Sequence, residues 1–310
     1  MTTQNANSVI VLNHVSRHYG AKFALNDVSL EVPRGGVLGL VGANGAGKTT
    51  LIKHMLGLLR AQTGSVRVFG LDPVAHAVGV LGRLGYLSED RDLPPWISVG
   101  ELLRYSRAFY PGWDAAYAET LRDQFQLSPT SRIRTLSKGE LAKAGLLVAL
   151  AHRPELLVLD EPSSGLDPIV RREMLEAIVR AVAEEGRTVL FSSHLLDEIA
   201  RVSDRVAMLA QGRLVLQGEL HEVLDTHRRI VVRLPGAPQH SLPGVLSLTG
   251  GPEEWTAICN GAGEQFAQAV RQCRGEVLEE SGATLEEIFH ARVSEARNAE
   301  AVARIPAGTG

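Results

Sequence analysis

The sequence predicts an α/β fold organised around a phosphate-binding loop, and three observations carry that expectation. Residues 42–49 read GANGAGKT, a match to GxxxxGK(S/T), in which backbone N–H groups cradle phosphates and the lysine reaches the outer ones. This loop stands between a short apolar run at 37–41, as a buried strand would be, and a segment at 50–59 with apolar residues at helical spacing. Phosphates would then meet a helix N-terminus, where unpaired N–H groups and the helix dipole favour negative charge. Third, residues 156–159 are consecutive aliphatics ending in Asp160 and Glu161, the pattern of a strand buried on both faces of a parallel sheet. Carboxylates at its C-terminal end lie where ligands bind in open α/β sheets. A nucleoside triphosphate is the expected ligand.

The whole chain narrows the alternatives. Its 310 residues suffice for one large domain and one small one. A net charge of −3 with no long basic run gives no nucleic-acid footprint. The N-terminus has no basic segment followed by an apolar stretch, so no signal peptide is expected. The longest apolar runs, such as 144–151, fall far short of the ~20 residues a membrane span needs. If a membrane matters, another polypeptide crosses it. Cys259 and Cys273 have no metal-ligand spacing and read as unpaired thiols.

In chain order, residues 1–7 are polar and expected to fray. Residues 9–12 and 24–32 alternate apolar and polar as exposed-edge strands do. Between them Arg17-His18-Tyr19-Gly20 reads as a turn whose Tyr19 offers a flat face for a base. Strands are expected again at 64–70 and 85–89. Ser98 and Glu101 form a capping box for a helix to about residue 109; Pro111-Gly112 breaks it, and 115–125 reads as a second helix. This helical insert carries Trp96, Tyr105, Phe109, Tyr110, Trp113 and Tyr117, most of which are expected in a small core. Leu136-Ser137-Lys138-Gly139-Glu140 precedes a further helix ending near residue 151. A magnesium ion on a triphosphate needs hard oxygen ligands, which Asp160 and Thr49 supply, leaving Glu161 to orient or deprotonate water. Past Glu219 the composition changes. Short strand-like runs at 230–234, 245–248 and 255–259, a helical 263–273, an extended 277–279 and a capped amphipathic helix at 284–301 make a small α+β appendage. Residues 304–310 are expected to be disordered.

The order and spacing of these motifs over roughly residues 8–220 resemble the nucleotide-binding subunit of ATP-binding cassette (ABC) transporters. Besides GANGAGKT and LLVLDEP, residues 163–168 (SSGLDP) are similar to the family's D-loop. Ser192-Ser193-His194 follows an apolar run as the family's switch histidine does, and LSKGE stands where the family has LSGGQ. The resemblance implies a P-loop NTPase core of ABC type over 1–225, with an antiparallel β subdomain and a helical subdomain at about 90–152, then an accessory domain over 226–310. It implies an ATPase that powers a membrane transporter, with ATP and Mg2+, a transmembrane permease as partner, and a nucleotide-sandwich dimer with itself or a second ABC subunit. The chain would then sit on the cytoplasmic face of the cell membrane through its partner, without a span of its own and without nucleic acid.

Residue roles follow from the same resemblance. Gly42, Asn44, Gly45, Ala46, Gly47, Lys48, Thr49 and Thr50 would surround the phosphates, with Lys48 on the outer ones, while Thr49 and Asp160 hold magnesium and Tyr19 stacks on adenine. Glu161 would be the base, and His194 would contact the terminal phosphate. Ser137 and Gly139 would close the facing subunit's site, and Asp167 would bridge to it. Two departures bear on this. Glu89 replaces the Q-loop glutamine; ionised, it donates no hydrogen bond but can still coordinate magnesium or water. In the signature, Lys138 replaces Gly and Glu140 replaces Gln. Ser137 and Glu140 still satisfy a capping box, and Lys138 either adds charge near a phosphate or points at solvent. Such substitutions are similar to those of subunits serving exporters, so export is the expected direction. In the family the segment after the Q-loop lies against the transmembrane partner; here Trp96 is either the anchor of that contact or part of the aromatic core. The rival is a soluble ABC-type ATPase acting on ribosomes or DNA. Those usually carry two cassettes or a long coiled-coil insert, whereas residues 50–135 contain no heptad run. A regulator without turnover is disfavoured by the intact Glu161 and His194.

Overall fold

The structure, a computed structural model, describes residues 7–236, 242–251, 253–261 and 263–303. Of residues 1–7, expected to fray, 1–6 lie outside the described residues, as does the disorder expected of 304–310. The chain divides into two compact units, 1–214 and 215–310, whereas the boundary implied by the resemblance lies at 225/226.

The first unit runs β1 (Ser8–Tyr19), β2 (Lys22–Pro33), β3 (Gly36–Val41), α1 (Lys48–Met55), β4 (Thr63–Val68), α2 (Ala77–Leu81), β5 (Leu84–Leu87) and α3 (Val99–Arg107). It continues with α4 (Ala115–Gln124), α5 (Lys138–Leu150), β6 (Leu156–Asp160), α6 (Pro168–Glu185), β7 (Thr188–Ser193), α7 (Leu196–Val202) and β8 (Arg205–Ala210). β9 (Arg213–Glu219) carries the boundary. The second unit then holds α8 (Leu220–Thr226), β10 (His227–Arg233), β11 (Val245–Gly250), β12 (Glu254–Asn260), α9 (Gly263–Gln272), β13 (Glu276–Gly282) and α10 (Leu285–Ala303).

A six-stranded sheet in the order β5-β6-β7-β3-β8-β9 positions the site. Its β5–β6, β6–β7, β7–β3 and β3–β8 pairs are parallel. Every residue of β6 and β7 is buried, as strands covered on both faces require. Register matters more than composition here. Val41 lies opposite Ser193 and Asp160 opposite Ser192, so the loop after β3, the carboxylates after β6 and the end of β7 emerge at one rim.

A smaller antiparallel sheet, β2-β1-β4, packs Ile10, Leu12, Leu25, Val28 and Leu30 into one core with Leu51, Ile52 and Met55 of α1. β1 extends to Tyr19, where His18 pairs with Phe23 and Tyr19 with Lys22. Residues 17–19, expected in a turn, are therefore strand. Pairing with β2 outweighs their polar character, and the chain reverses only at Gly20-Ala21.

The helical part begins as expected, with Ser98 and Glu101 forming both bonds of a capping box on α3 and Asp114 accepting from the Tyr117 N–H at 2.9 Å on α4. Its core is aliphatic: Leu102, Leu103, Leu121, Leu146 and Leu147 are all buried. The aromatic core is corrected for three residues. Trp96, Tyr105 and Phe109 are 69%, 59% and 61% exposed. α3 buries Val99, Leu102, Leu103 and Ser106, and helical geometry leaves Tyr105 on the opposite face. Tyr110 instead stacks on His152 at 3.9 Å, and the Arg153 guanidinium covers the Tyr117 ring at 3.6 Å.

The second unit is a four-stranded antiparallel sheet, β11-β12-β10-β13, with α9 supplying Phe266 and Val270 to a core that includes Ile230, Val232, Ala257 and Cys259. Both cysteines are free thiols; Cys259 is buried and Cys273 exposed. Burial pushes the Cys259 thiol up to about 11. α10 opens on the expected cap, Thr284 N–H donating to Glu287 at 2.8 Å and the Glu287 N–H to the Thr284 hydroxyl at 3.2 Å.

Candidate active site

The site starts with the loop after β3. Gly47 holds φ 113, and a Cβ there would lie 2.4 Å from the carbonyl oxygen of Ala24, so glycine alone fits. Ala46 lies under the loop, its N–H donating to Ala43 O at 3.0 Å and its carbonyl accepting from Gly212 at 2.9 Å. α1 then begins at Lys48 with no side chain capping it, which leaves its first N–H groups for an anion.

Lys48 is buried. Its Nζ donates to Gly42 O at 2.6 Å and pairs with Glu161 Oε1 at 2.9 Å. The other oxygen, Oε2, accepts from His194 Nδ1 at 2.7 Å and from the His194 N–H at 3.4 Å. Since a carboxylate accepts, Nδ1 bears the hydrogen and Nε2 is left for another partner. Glu161 itself sits at φ 49, a left-handed conformation that costs a non-glycine residue roughly 1–3 kcal/mol. Its N–H is fixed on Ser192 Oγ at 3.0 Å, and that hydroxyl donates to Asp160 Oδ1 at 2.7 Å. Asp160 Oδ2 is buried with no hydrogen-bond partner among the described residues. Burial, with the charges of Asp160 and Asp90, pushes the nearby Tyr86 phenol up to about 12.

A cleft of about 410 Å³ opens onto these groups. It brings together Tyr19, Asn44, Gly45, Gly47, Lys48, Thr49, Thr50, Glu89 and Glu161. Gly42, Asp160 and His194 join through the bonds just described. Ser137, Gly139 and Asp167 do not line it. Ser137 caps α5, its hydroxyl accepting from the Glu140 N–H at 3.2 Å and donating to Glu140 Oε2 at 2.7 Å. That hydroxyl bond, with the Ser137 N–H donating to the same oxygen at 2.8 Å, holds the Glu140 carboxyl below the usual carboxylate range, and the capping role of Glu140 is borne out. Asp167 caps α6, accepting from Ile169 at 3.0 Å and Val170 at 3.1 Å.

Sequence reasoning missed three residues. Lys22 lines the cleft because the β1–β2 register sets it opposite Tyr19. Glu198 is buried under the rim, accepting from Ser163 Oγ at 2.6 Å and Ser193 Oγ at 3.0 Å. Arg91, in a charged loop, is buried too. Of the three, Lys22 alone left a signal, its place just past the turn.

Among the described residues no group of three or more His, Cys, Asp or Glu is arranged to hold a metal by itself. The donors fit a hard cation shared with a phosphate instead. Asp160 has an unused carboxylate oxygen, and Thr49 lines the cleft.

Residues 25–164 match the family described as ABC transporter. The chain is 35% identical over 240 residues to an uncharacterized ABC transporter ATP-binding protein of Nostoc sp., covering 73% of this chain and 71% of that protein. It is 33% identical over 224 residues to the Nod factor export ATP-binding protein I of Burkholderia orbicola, covering 70% of this chain and 73% of that one. A solved structure described as the ATP binding subunit of an ABC transporter superposes with a TM-score of 0.65 at 29% identity, over 70% of this chain and 92% of its own. No helix among the described residues is long and apolar enough to cross a membrane. With its phosphate loop, paired carboxylates and rim histidine on one cleft, the chain belongs to the ATP-binding subunits of ABC transporters, a family of ATPases.

Proposed function

We propose that the chain hydrolyses ATP in this cleft to drive a membrane ABC transporter, in the direction of export, as one half of a nucleotide-sandwich dimer. The observation that carries the reading is Glu161, held between Lys48 and His194 with both oxygens engaged. A carboxylate so oriented accepts the proton of an attacking water, while Lys48 meets the outer phosphates that the loop and the start of α1 cradle. His194, beside Glu161, contacts the terminal phosphate. Tyr19, half exposed with the Arg17 guanidinium 4.9 Å from its ring centre, offers a face to adenine. Asp160 and Thr49, with Glu89 at the mouth, would hold Mg2+, which when bound neutralises charge on the triphosphate.

Ser137, Gly139 and Asp167 lie outside the cleft and are assigned to the facing subunit's site. Residues 1–225 are the nucleotide-binding domain in this reading, and 226–310 an accessory domain. A transmembrane permease holds the subunit at the cytoplasmic membrane face, with Trp96 on the docking surface. Support for export comes from the Nod factor export relative and from Lys138 and Glu140 in the signature.

The test is a pair of variants. Glu161→Gln should keep ATP binding and lose about 10²–10⁴-fold in turnover, whereas Lys48→Ala should weaken binding itself. With ATP, the Glu161→Gln chain should form a dimer in light scattering that Ser137→Arg abolishes. Near-normal hydrolysis by Glu161→Gln removes Glu161 from the base role. A monomer under every nucleotide condition removes the homodimer.

A further inference from the structure

Two residues past Glu89 the chain bends at Arg91, which holds φ 50 and is only 8% exposed. The side chain does not reach for solvent or for a carboxylate. Its Nη2 donates to two backbone carbonyls, Pro162 O at 2.9 Å and Ser164 O at 2.7 Å. Its Nε has no hydrogen-bond partner among the described residues. Burial lowers the pKa of the guanidinium, opposed by the charge of Glu89. As a stabilising device this is poor, because a desolvated cation on neutral carbonyls recovers less than an apolar side chain of similar volume would. What the arrangement supplies is position.

Pro162 directly follows Glu161, and Ser164 leads towards Asp167. The residue between them is held from the other side. Ser163 Oγ donates to Glu198, the same carboxylate that accepts from Ser193 Oγ and pairs with Arg171 Nε at 3.2 Å. The stretch after Glu161 is thus fixed by the Pro162 and Ser164 carbonyls to the segment that lines the cleft at Glu89, and by the Ser163 hydroxyl to the helix after His194. We propose that Arg91 is a positioning residue: its fork on Pro162 and Ser164 sets the Glu161 carboxylate and ties the cleft wall at Glu89 to the bend before Asp167. The proposal rests on the reading of Glu161 as the base.

The experiment measures steady-state hydrolysis, ATP affinity and thermal unfolding of the purified full chain with Arg91→Met, Arg91→Lys and Glu161→Gln. Arg91→Met keeps the volume and removes both donors. It should bind ATP within about twofold of the native chain and lose about 10–10²-fold in kcat at unchanged KM. Arg91→Lys, whose ammonium can meet the same carbonyls, should recover most of the loss. If Arg91→Met does not fold, Arg91→Leu, which likewise carries no donor, is held to the same criteria. A kcat within about twofold of native for the donor-free variant overturns the proposal. So does a parallel fall in kcat and ATP affinity, or a lysine variant no better than methionine. Normal hydrolysis by Glu161→Gln overturns the reading of the base whatever Arg91 does; an inactive Glu161→Gln beside an active Arg91→Met overturns the Arg91 proposal alone.

Discussion

Trp96 holds its backbone still and its ring free: the carbonyl accepts from Arg132 Nη1 at 2.8 Å while most of the side chain meets solvent. Truncating so exposed a residue removes little packing, so Trp96→Ala should change stability by no more than about 0.5 kcal/mol. Capture by the permease should weaken, because a large amphipathic ring is the kind of anchor an interface centre uses. A drop of several degrees in melting temperature with capture intact would return Trp96 to the core. At this scale the site was legible where its residues are neighbours in the chain, as in the loop at 42–49 or the pair Asp160 and Glu161. It was illegible where a side chain acts across the fold. Arg91 meets carbonyls 71 and 73 residues away, and nothing in its local sequence distinguishes it from a solvated arginine.

Elements are tied at the opposite end of the sheet from the site. Glu155, just before β6, takes Arg83 in a two-bond fork at 2.6 and 2.9 Å and Arg34 at 2.9 Å, joining the starts of β3, β5 and β6. The two guanidiniums, Arg83 first, hold its carboxyl down to about 2. A depressed carboxylate contributes stability above its unfolded pKa of about 4.3 and loses it as pH falls towards the folded value. The group is 44% exposed, so solvent screening limits each pair to about 1 kcal/mol or less. Glu155→Gln should therefore unfold more easily than the native chain in denaturant at pH 7, and the gap should close between about pH 5 and pH 2. A gap independent of pH would remove the ion pairs as its cause. Among elements, β6 and β7 were plain from their apolar runs, and the capped helices from Ser98, Ser137 and Thr284. The length of β1 was not. Its polar end is strand because β2 pairs with it, and such pairing has no signature in local alternation.

Over the whole molecule, each unit buries a core of its own, and the change of composition past Glu219 marks the second one a strand late. A boundary inside β9 is invisible to composition, because the strand's sequence is continuous across it. The placement of the two cysteines has a practical consequence. Cys259 lies in the second core with its thiol pushed up to about 11, so at pH 8 only about one molecule in 10³ carries the reactive thiolate there, behind a wall of packed side chains. Cys273 is exposed. The folded chain should thus consume one equivalent of a thiol reagent quickly and the second only in denaturant, and equal rates for both would contradict the packing around Cys259. A single fluorophore or spin label can accordingly be placed on the second unit of the native sequence, so that distances to it are followed through a turnover cycle without a cysteine being added or removed.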